Sequence, residues 1–312
     1  MDLIELKNVT KMYGNFKALD NVNFKIEKGE VVGFLGQNGA GKTTTMKIIT
    51  GLIEPTEGEV YVNNERISKK NSTKIGYMPE NTPLYNSLTV REFINFMGEI
   101  KGIKRAERKK AVDEVIKILN LQSVEKKLIK NISRGYKQRV SFAGALIGKP
   151  DILILDEPMV GLDPKQIIEI RNLIKSLKGA HTILLSSHIL SEINQICEKV
   201  IIIEKGKIIA TDTPANLENQ ISNNIVNITV EDPKNNIQRI KEKIDEIDEI
   251  KFIKNISKYE KEYEIKVIGD SDIRKSLMTI SPEFDITIVE LRKSKSTLED
   301  VFVNLIKEEE EI

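Results

Sequence analysis

Apolar and polar positions alternate with two different periods along this chain, and the switches between them mark out its elements. Over residues 18–26 the apolar side chains Val22, Phe24 and Ile26 fall at every second position, the period of a strand with one buried face. Residues 3–6 and 60–62 read as shorter strands. The runs Val31-Val32-Gly33-Phe34-Leu35 and Asp151-Ile152-Leu153-Ile154-Leu155 are continuously apolar, as strands of a parallel sheet covered on both faces must be. Residues 75–80 predict a short strand halted by Pro79, and residues 181–186 another that includes His181. From Thr89 the period becomes helical. Phe93, Ile94, Phe96 and Met97 mark one helix, and Val112, Val115, Ile116 and Leu119 a second that ends near Asn120. Further helices are predicted over 42–50, after Ser133, over 164–177 and over 190–197. Residues 200–203 and 207–210 read as a hairpin turning at Lys205-Gly206. Alternating strands and helices imply an α/β fold on a parallel sheet.

After Pro214 the pattern changes. Residues 225–230, 251–256, 263–268 and 286–291 read as strands, with helices over 237–247, over 273–280 and from Thr297. That order is the split βαβ pattern, so a small α+β accessory domain is expected. It has no histidine, cysteine or glycine-rich loop, which leaves the chemistry to the first part, and its tail at 307–311 reads as a solvated helix end. A chain of 312 residues accommodates two such domains, expected at 1–215 and 216–312.

The stretch Gly36-Gln37-Asn38-Gly39-Ala40-Gly41-Lys42-Thr43-Thr44 joins an apolar strand to a predicted helix. Its glycines free the backbone to turn successive N–H groups toward one anion, and the dipole of the following helix adds positive potential there. Lys42 can bridge the outer phosphates of a nucleotide as a point charge, and the Thr43 hydroxyl can ligate Mg²⁺. Asp156-Glu157 ends the apolar run at 151–155, where a P-loop nucleotidase holds its metal-bound carboxylate, and Glu157 can act as general base on water. His188 ends the next predicted strand, within reach of a γ-phosphate. Ile132-Ser133-Arg134-Gly135-Tyr136-Lys137-Gln138 can present a helix N-terminus and a serine hydroxyl to phosphate.

Charge and composition narrow the partners. With 48 Lys+Arg against 47 Asp+Glu there is no global field to draw nucleic acid or an anionic membrane. The basic run at 101–110 has no interleaved aromatic residue and reads as a solvated helix start. No apolar run approaches the roughly 18 residues that cross a bilayer. The N-terminal Met1-Asp2-Leu3-Ile4-Glu5 does not read as a secretory signal, so the chain is expected in the cytoplasm, with any membrane role arising through a partner. The single Cys197 excludes an internal disulfide and suits a small, buried apolar role. A GTP switch would need an Asn-Lys-x-Asp motif, and none occurs.

In these motifs and their order the sequence resembles the ATP-binding cassette (ABC) ATPases, over roughly residues 1–215. The resemblance implies a P-loop core with an antiparallel β subdomain and a helical subdomain at 84–148, then a ferredoxin-like accessory domain. It implies ATP and Mg²⁺ as ligands, with Tyr13 stacking on adenine and residues 36–44 holding phosphates. Thr43, Glu80 and Asp156 would face the metal, Glu157 would be the catalytic base and His188 the switch histidine. Ser133 and Gly135 of the family signature, with Asp163 of the D-loop, would complete the nucleotide site of a second ATPase subunit, a copy or a close relative, in a head-to-tail dimer. The chain looks most like the ATPase subunits of bacterial ABC-2-type exporters, including those for multidrug export and gliding motility. That likeness lies in Gly76-Tyr77-Met78-Pro79-Glu80-Asn81-Thr82-Pro83-Leu84-Tyr85, in Ser133-Arg134-Gly135-Tyr136-Lys137-Gln138-Arg139-Val140 and in Leu298-Glu299-Asp300-Val301-Phe302. It implies a separate integral membrane permease as partner, a peripheral place on the cytoplasmic face of the cell membrane, and no nucleic acid. Two residues depart from the general family pattern: Glu80 stands for glutamine, and Arg134 for the glycine after the signature serine.

Overall fold

The computed structural model describes residues 2–68, 75–81, 83–220, 223–231, 250–255, 262–268 and 274–294. The chain divides into two units, Met1–Thr213 and Pro214–Ile312. The first opens with β1 (Asp2–Tyr13), β2 (Phe16–Glu27), β3 (Val31–Leu35), α1 (Lys42–Ile49), β4 (Glu57–Val62), β5 (Glu65–Arg66) and β6 (Ile75–Met78). The helices α2 (Val90–Ile100), α3 (Arg105–Ile118) and α4 (Arg134–Leu146) follow. The unit then alternates through β7 (Ile152–Leu155), α5 (Pro164–Leu177), β8 (Thr182–Ser187), α6 (Leu190–Ile196), β9 (Lys199–Glu204) and β10 (Lys207–Asp212).

Two sheets form the body of this unit. One is antiparallel in the order β2-β1-β4-β5. The other runs β10-β9-β3-β8-β7-β6, parallel throughout except for β10 at its edge. Leu19, Val22, Phe24 and Ile26 of β2 turn inward, with Asn21, Asn23 and Lys25 outward, so the two-residue period becomes one buried face. Phe24 of the first sheet meets Phe34 of the second at 5.7 Å between ring centroids, and α1 places Met46, Ile48 and Ile49 in the same core. Each such side chain contributes about 2 kcal/mol when fully buried. The first two strands are far longer than the alternation predicts. Asn8 and Asn21, both at φ 51°, carry the chain through places where polar residues break the pattern, and the β1–β2 register shifts there.

The helical part is fixed by its caps and apolar stripes. Thr89 caps α2 in a reciprocal box with Glu92, and Phe93 and Ile94 of α2 pack with Val112, Val115 and Ile116 of α3 and with α4. The basic run at 101–110 corrects the sequence reading at its first residue. Lys101 closes α2, and its ammonium donates to the Ala145 carbonyl at 2.6 Å, near the C-terminus of α4. Burial pushes its pKa down to about 8. The remainder of the run opens α3 at the surface. Cys197 is buried, as its surroundings in the sequence suggest, and burial raises its thiol pKa. His181 lies just before β8, its Nδ1 2.6 Å from the Pro150 carbonyl.

The second unit contains α7 (Pro214–Gln220), β11 (Asn223–Glu231), β12 (Ile250–Asn255), β13 (Glu262–Ile268), α8 (Arg274–Ile280) and β14 (Thr287–Ser294). Its sheet is antiparallel in the order β12-β13-β11-β14, the arrangement of a split βαβ fold, with Ile228, Val230, Leu277 and Ile286 buried. The helices expected at 237–247 and from Thr297, and the tail at 307–311, lie outside the described residues.

Candidate active site

Parallel strands deliver their following loops to one edge of a sheet, and here three of them matter. Leu35 of β3 pairs with Ser187 of β8, and Leu155 of β7 with Leu185, so the segments after these strands emerge side by side. They carry the glycine-rich loop, Asp156-Glu157 and His188.

Each glycine of the loop answers a different constraint. A Cβ on Gly36 would lie 2.4 Å from the carbonyl oxygen of Ile203 in β9, so this position is required for close backbone approach and not for a left-handed turn. Gly41 takes φ 113° as the N-cap of α1, a conformation L side chains rarely adopt. Lys42 is buried, and its Nζ donates to the Gly36 and Gln37 carbonyls at 2.7 and 3.1 Å, which holds a positive charge inside the loop.

Behind the loop the acidic pair is braced from β8. Asp156 is fully buried. Its Oδ2 accepts from the Thr43 hydroxyl at 2.8 Å, and its Oδ1 from the Ser186 hydroxyl at 2.7 Å. Ser186 Oγ in turn accepts the Glu157 N–H at 2.8 Å. Glu157 sits at φ 49°, a left-handed position that costs an L residue about 1–2 kcal/mol, and that turn aims its carboxylate across the strand ends. Glu157 Oε2 accepts from His188 Nδ1 at 2.9 Å. Its Oε1 lies 3.5 Å from Lys42 Nζ and makes no hydrogen bond, so a buried acceptor is left aimed into the site. Ser187 accepts the Ile189 N–H and donates to the buried Glu192, fixing the turn on which His188 stands. Burial raises the Glu192 carboxyl pKa, opposed by that serine hydrogen bond. Burial likewise raises the pKa of the Tyr77 phenol, reinforced by Asp156 and Glu80.

A cleft of about 540 Å³ opens over these groups. Tyr13, Phe16, Ala18, Gln37, Asn38, Gly39, Gly41, Lys42, Thr43, Thr44, Glu80, Glu157, Val160 and His188 line it. Gly36, Ala40 and Asp156 lie beneath as buried supports. Ser133, Gly135 and Asp163 do not line it. Ser133 is the exposed N-cap of α4, Gly135 is covered by Gln166, and Asp163 caps α5 by accepting from the Gln166 N–H at 2.9 Å. Sequence reasoning missed Phe16, Ala18, Val160 and Ser186. Ser186-Ser187 at the end of an apolar strand was the available signal for the last of these, since hydroxyls there can reach a neighbouring strand end.

The donor set fits Mg²⁺. Thr43 and Asp156 offer hard oxygens at the mouth of the phosphate loop, with the Glu80 carboxylate at the rim. No cluster of three or more His, Cys, Asp or Glu side chains suited to a metal occurs among the described residues. An ion held by one or two protein groups and completed by phosphate oxygens and water is the ordinary arrangement for magnesium.

A family model described as ABC transporter matches residues 19–160. The bacitracin transport ATP-binding protein BcrA of Bacillus licheniformis is 36% identical over 311 residues, covering 97% of each chain. The linearmycin resistance ATP-binding protein LnrL of Bacillus subtilis is 30% identical over 308 residues, covering 97% of this chain and 98% of that one. Among solved structures, the dimeric post-hydrolysis state of an ATP-binding cassette bound to ADP and Pi aligns with a TM-score of 0.62 at 32% identity, covering 67% of this chain and 98% of that one.

Proposed function

The chain belongs to the ABC transporter family as an ATP-hydrolysing, nucleotide-binding subunit, and from that premise we propose which of its residues do the work and what they drive. The single observation that carries the assignment is the convergence of the phosphate loop, the Thr43–Asp156 bond and the Lys42–Glu157–His188 chain of contacts on one cleft. The backbone of residues 36–44 and Lys42 hold the phosphates, and Tyr13 takes the base. Thr43 and Asp156, with Glu80 at the rim, hold Mg²⁺, which when bound neutralises charge on the phosphoryl oxygens. Glu157 accepts the proton of the attacking water, and His188 fixes that carboxylate and faces the γ-phosphate.

Ser133 and Gly135 stand away from the cleft of their own chain. They complete the site of a second subunit, as does Asp163, so that ATP closes a head-to-tail dimer and hydrolysis opens it. That cycle drives a separate ABC-2-type permease from the cytoplasmic face of the membrane, in the export direction. Among the described residues no helix is long and apolar enough to cross a membrane, and a relative named for resistance supports export. Mg²⁺-dependent ATP hydrolysis by the purified chain, and the membrane protein recovered with it from solubilised membranes, test the two halves. Absence of hydrolysis, or recovery with no integral membrane protein, removes the corresponding half.

Residues 1–215 form the catalytic domain in this reading, and 216–312 tune dimerisation or coupling. A chain ending at Gln220 is expected to melt cooperatively and to bind Mg-ATP within about threefold of the full-length affinity, a difference below 1 kcal/mol. If it folds, by circular dichroism, and loses the nucleotide, the division is wrong.

The permease docks where Glu80 leads into the helical part. Tyr85 is 53% exposed and stands edge-on to Phe96 at 5.5 Å, with Phe93 buried beneath. A half-exposed aromatic on a packed base suits a binding anchor. Tyr85→Ala is expected to leave ATP affinity unchanged and to lower the melting temperature by no more than a few degrees, while reducing permease recovery about tenfold. A mutant that melts much earlier and keeps its permease places Tyr85 in the core instead.

A further inference from the structure

We infer that Phe16 is a second aromatic platform for the nucleotide base, set beside Tyr13, and that it makes the cleft favour purine over pyrimidine triphosphates through stacking area and not through reading of the base edge. The inference rests on the proposed assignment of the cleft as an ATP site. β1 and β2 close on the two residues Gly14-Asn15, so Tyr13 and Phe16 are directly opposed in register. Opposed residues of an antiparallel pair put their side chains on the same face, and both of these rings line the cleft. Both are also left open, Tyr13 at 48% and Phe16 at 65% exposure, whereas Ala18, Leu19, Val22, Phe24 and Ile26 further along β2 are buried. An apolar ring held that far out of the core, in register with a second one at the mouth of a cleft, has surface to give to a ligand.

The neighbouring groups fix what that ligand face recognises. Lys11 stands outside the cleft with its ammonium 5.3 Å from the Tyr13 ring centroid, and it is anchored by donating to the Glu54 carbonyl at 2.7 Å. A cation held against one face of Tyr13 steadies the ring and leaves its other face for a base. Ala18 continues the apolar wall, and the side-chain amides of Gln37 and Asn38 belong to the phosphate loop. The Tyr13 hydroxyl is then the one polar group among Tyr13, Phe16 and Ala18. Stacking tolerates any base, because every base has a π face, but a purine can cover two adjacent rings and a pyrimidine about one.

The test is equilibrium binding by calorimetry, with Mg²⁺ present, of ATP, GTP, CTP, UTP and inorganic tripolyphosphate to the full chain and to its F16L and F16Y variants. Leucine keeps apolar bulk and removes the π face. F16L is expected to weaken ATP and GTP alike by about tenfold, to narrow the purine-to-pyrimidine ratio and to leave tripolyphosphate unchanged, with F16Y restoring wild-type values. Equal ATP affinity in wild type and F16L overturns the inference. So does a parallel loss of tripolyphosphate, which would make Phe16 a support of the loop and not a base contact. Failure of the wild-type chain to bind ATP strikes the assignment of the cleft itself, which keeps the two failures distinct.

Discussion

Glu157→Gln is expected to retain ATP binding within about threefold while lowering turnover by about 100-fold to 10,000-fold, the range that a lost general base removes. The amide matches the carboxylate in shape, and the site can accommodate it. Glu157 faces Lys42 with one oxygen and His188 with the other. A glutamine can keep its carbonyl toward Lys42 and turn its NH₂ toward His188, whose Nδ1 can accept in the other tautomer. What the amide cannot do is take a proton from water. The variant should therefore accumulate as an ATP-bound dimer, read by size exclusion with ATP and Mg²⁺. Wild-type turnover would remove Glu157 from the role of base. Loss of binding along with turnover would instead mark it as a holder of the loop through Lys42.

The second large effect is expected at Gly36→Ala, which should weaken Mg-ATP binding by about tenfold or more and destabilise the chain by about 1–3 kcal/mol, the usual cost of overpacking a tight site. The new methyl would meet the Ile203 carbonyl oxygen at 2.4 Å and the Ile203 side chain at 2.9 Å. That carbonyl cannot give way, because β9 is paired on both sides, to β3 and to β10. The phosphate loop has to move instead. Gly39→Ala is the contrasting control, since its Cβ would meet nothing within 4 Å and only φ 87° resists it. Nucleotide titration and thermal melting of both variants check the distinction. A Gly36→Ala chain that binds and melts like wild type would show that the approach to Ile203 does not shape the loop.

The periodicities alone were enough for the α/β core, the three-helix insertion and the closing hairpin, because each is a local rule expressed over ten or so residues. The helix predicted at 164–177 spans the same residues as α5, for which Asp163 and Pro164 provide an unambiguous start. The phosphate loop was legible for the same reason: glycines, lysine and threonine stand within one short segment. Strand ends were less so. β1 and β2 run on through asparagines that break the alternation, since pairing on both flanks of β1 outweighs local pattern.

Contacts between distant segments were decided by the tertiary structure. Thr43 and Asp156 are 113 residues apart, and Ser186 and Asp156 are 30 apart. No local pattern relates them, and only the register of β3, β8 and β7 sets them side by side. The Gly36 constraint is of the same kind, since its cause is the Ile203 carbonyl on another strand. Lys101 looked solvated in a basic run because sequence shows charge, not the Ala145 carbonyl that α4 brings over it. Phe16 looked like the first residue of an ordinary strand until the hairpin placed it opposite Tyr13 on the cleft. Residue type and spacing thus determined which chemistry the chain carries. The pairing of its strands decided which of those groups meet, because a hydrogen bond depends on distances of a few ångströms that sequence separation does not encode.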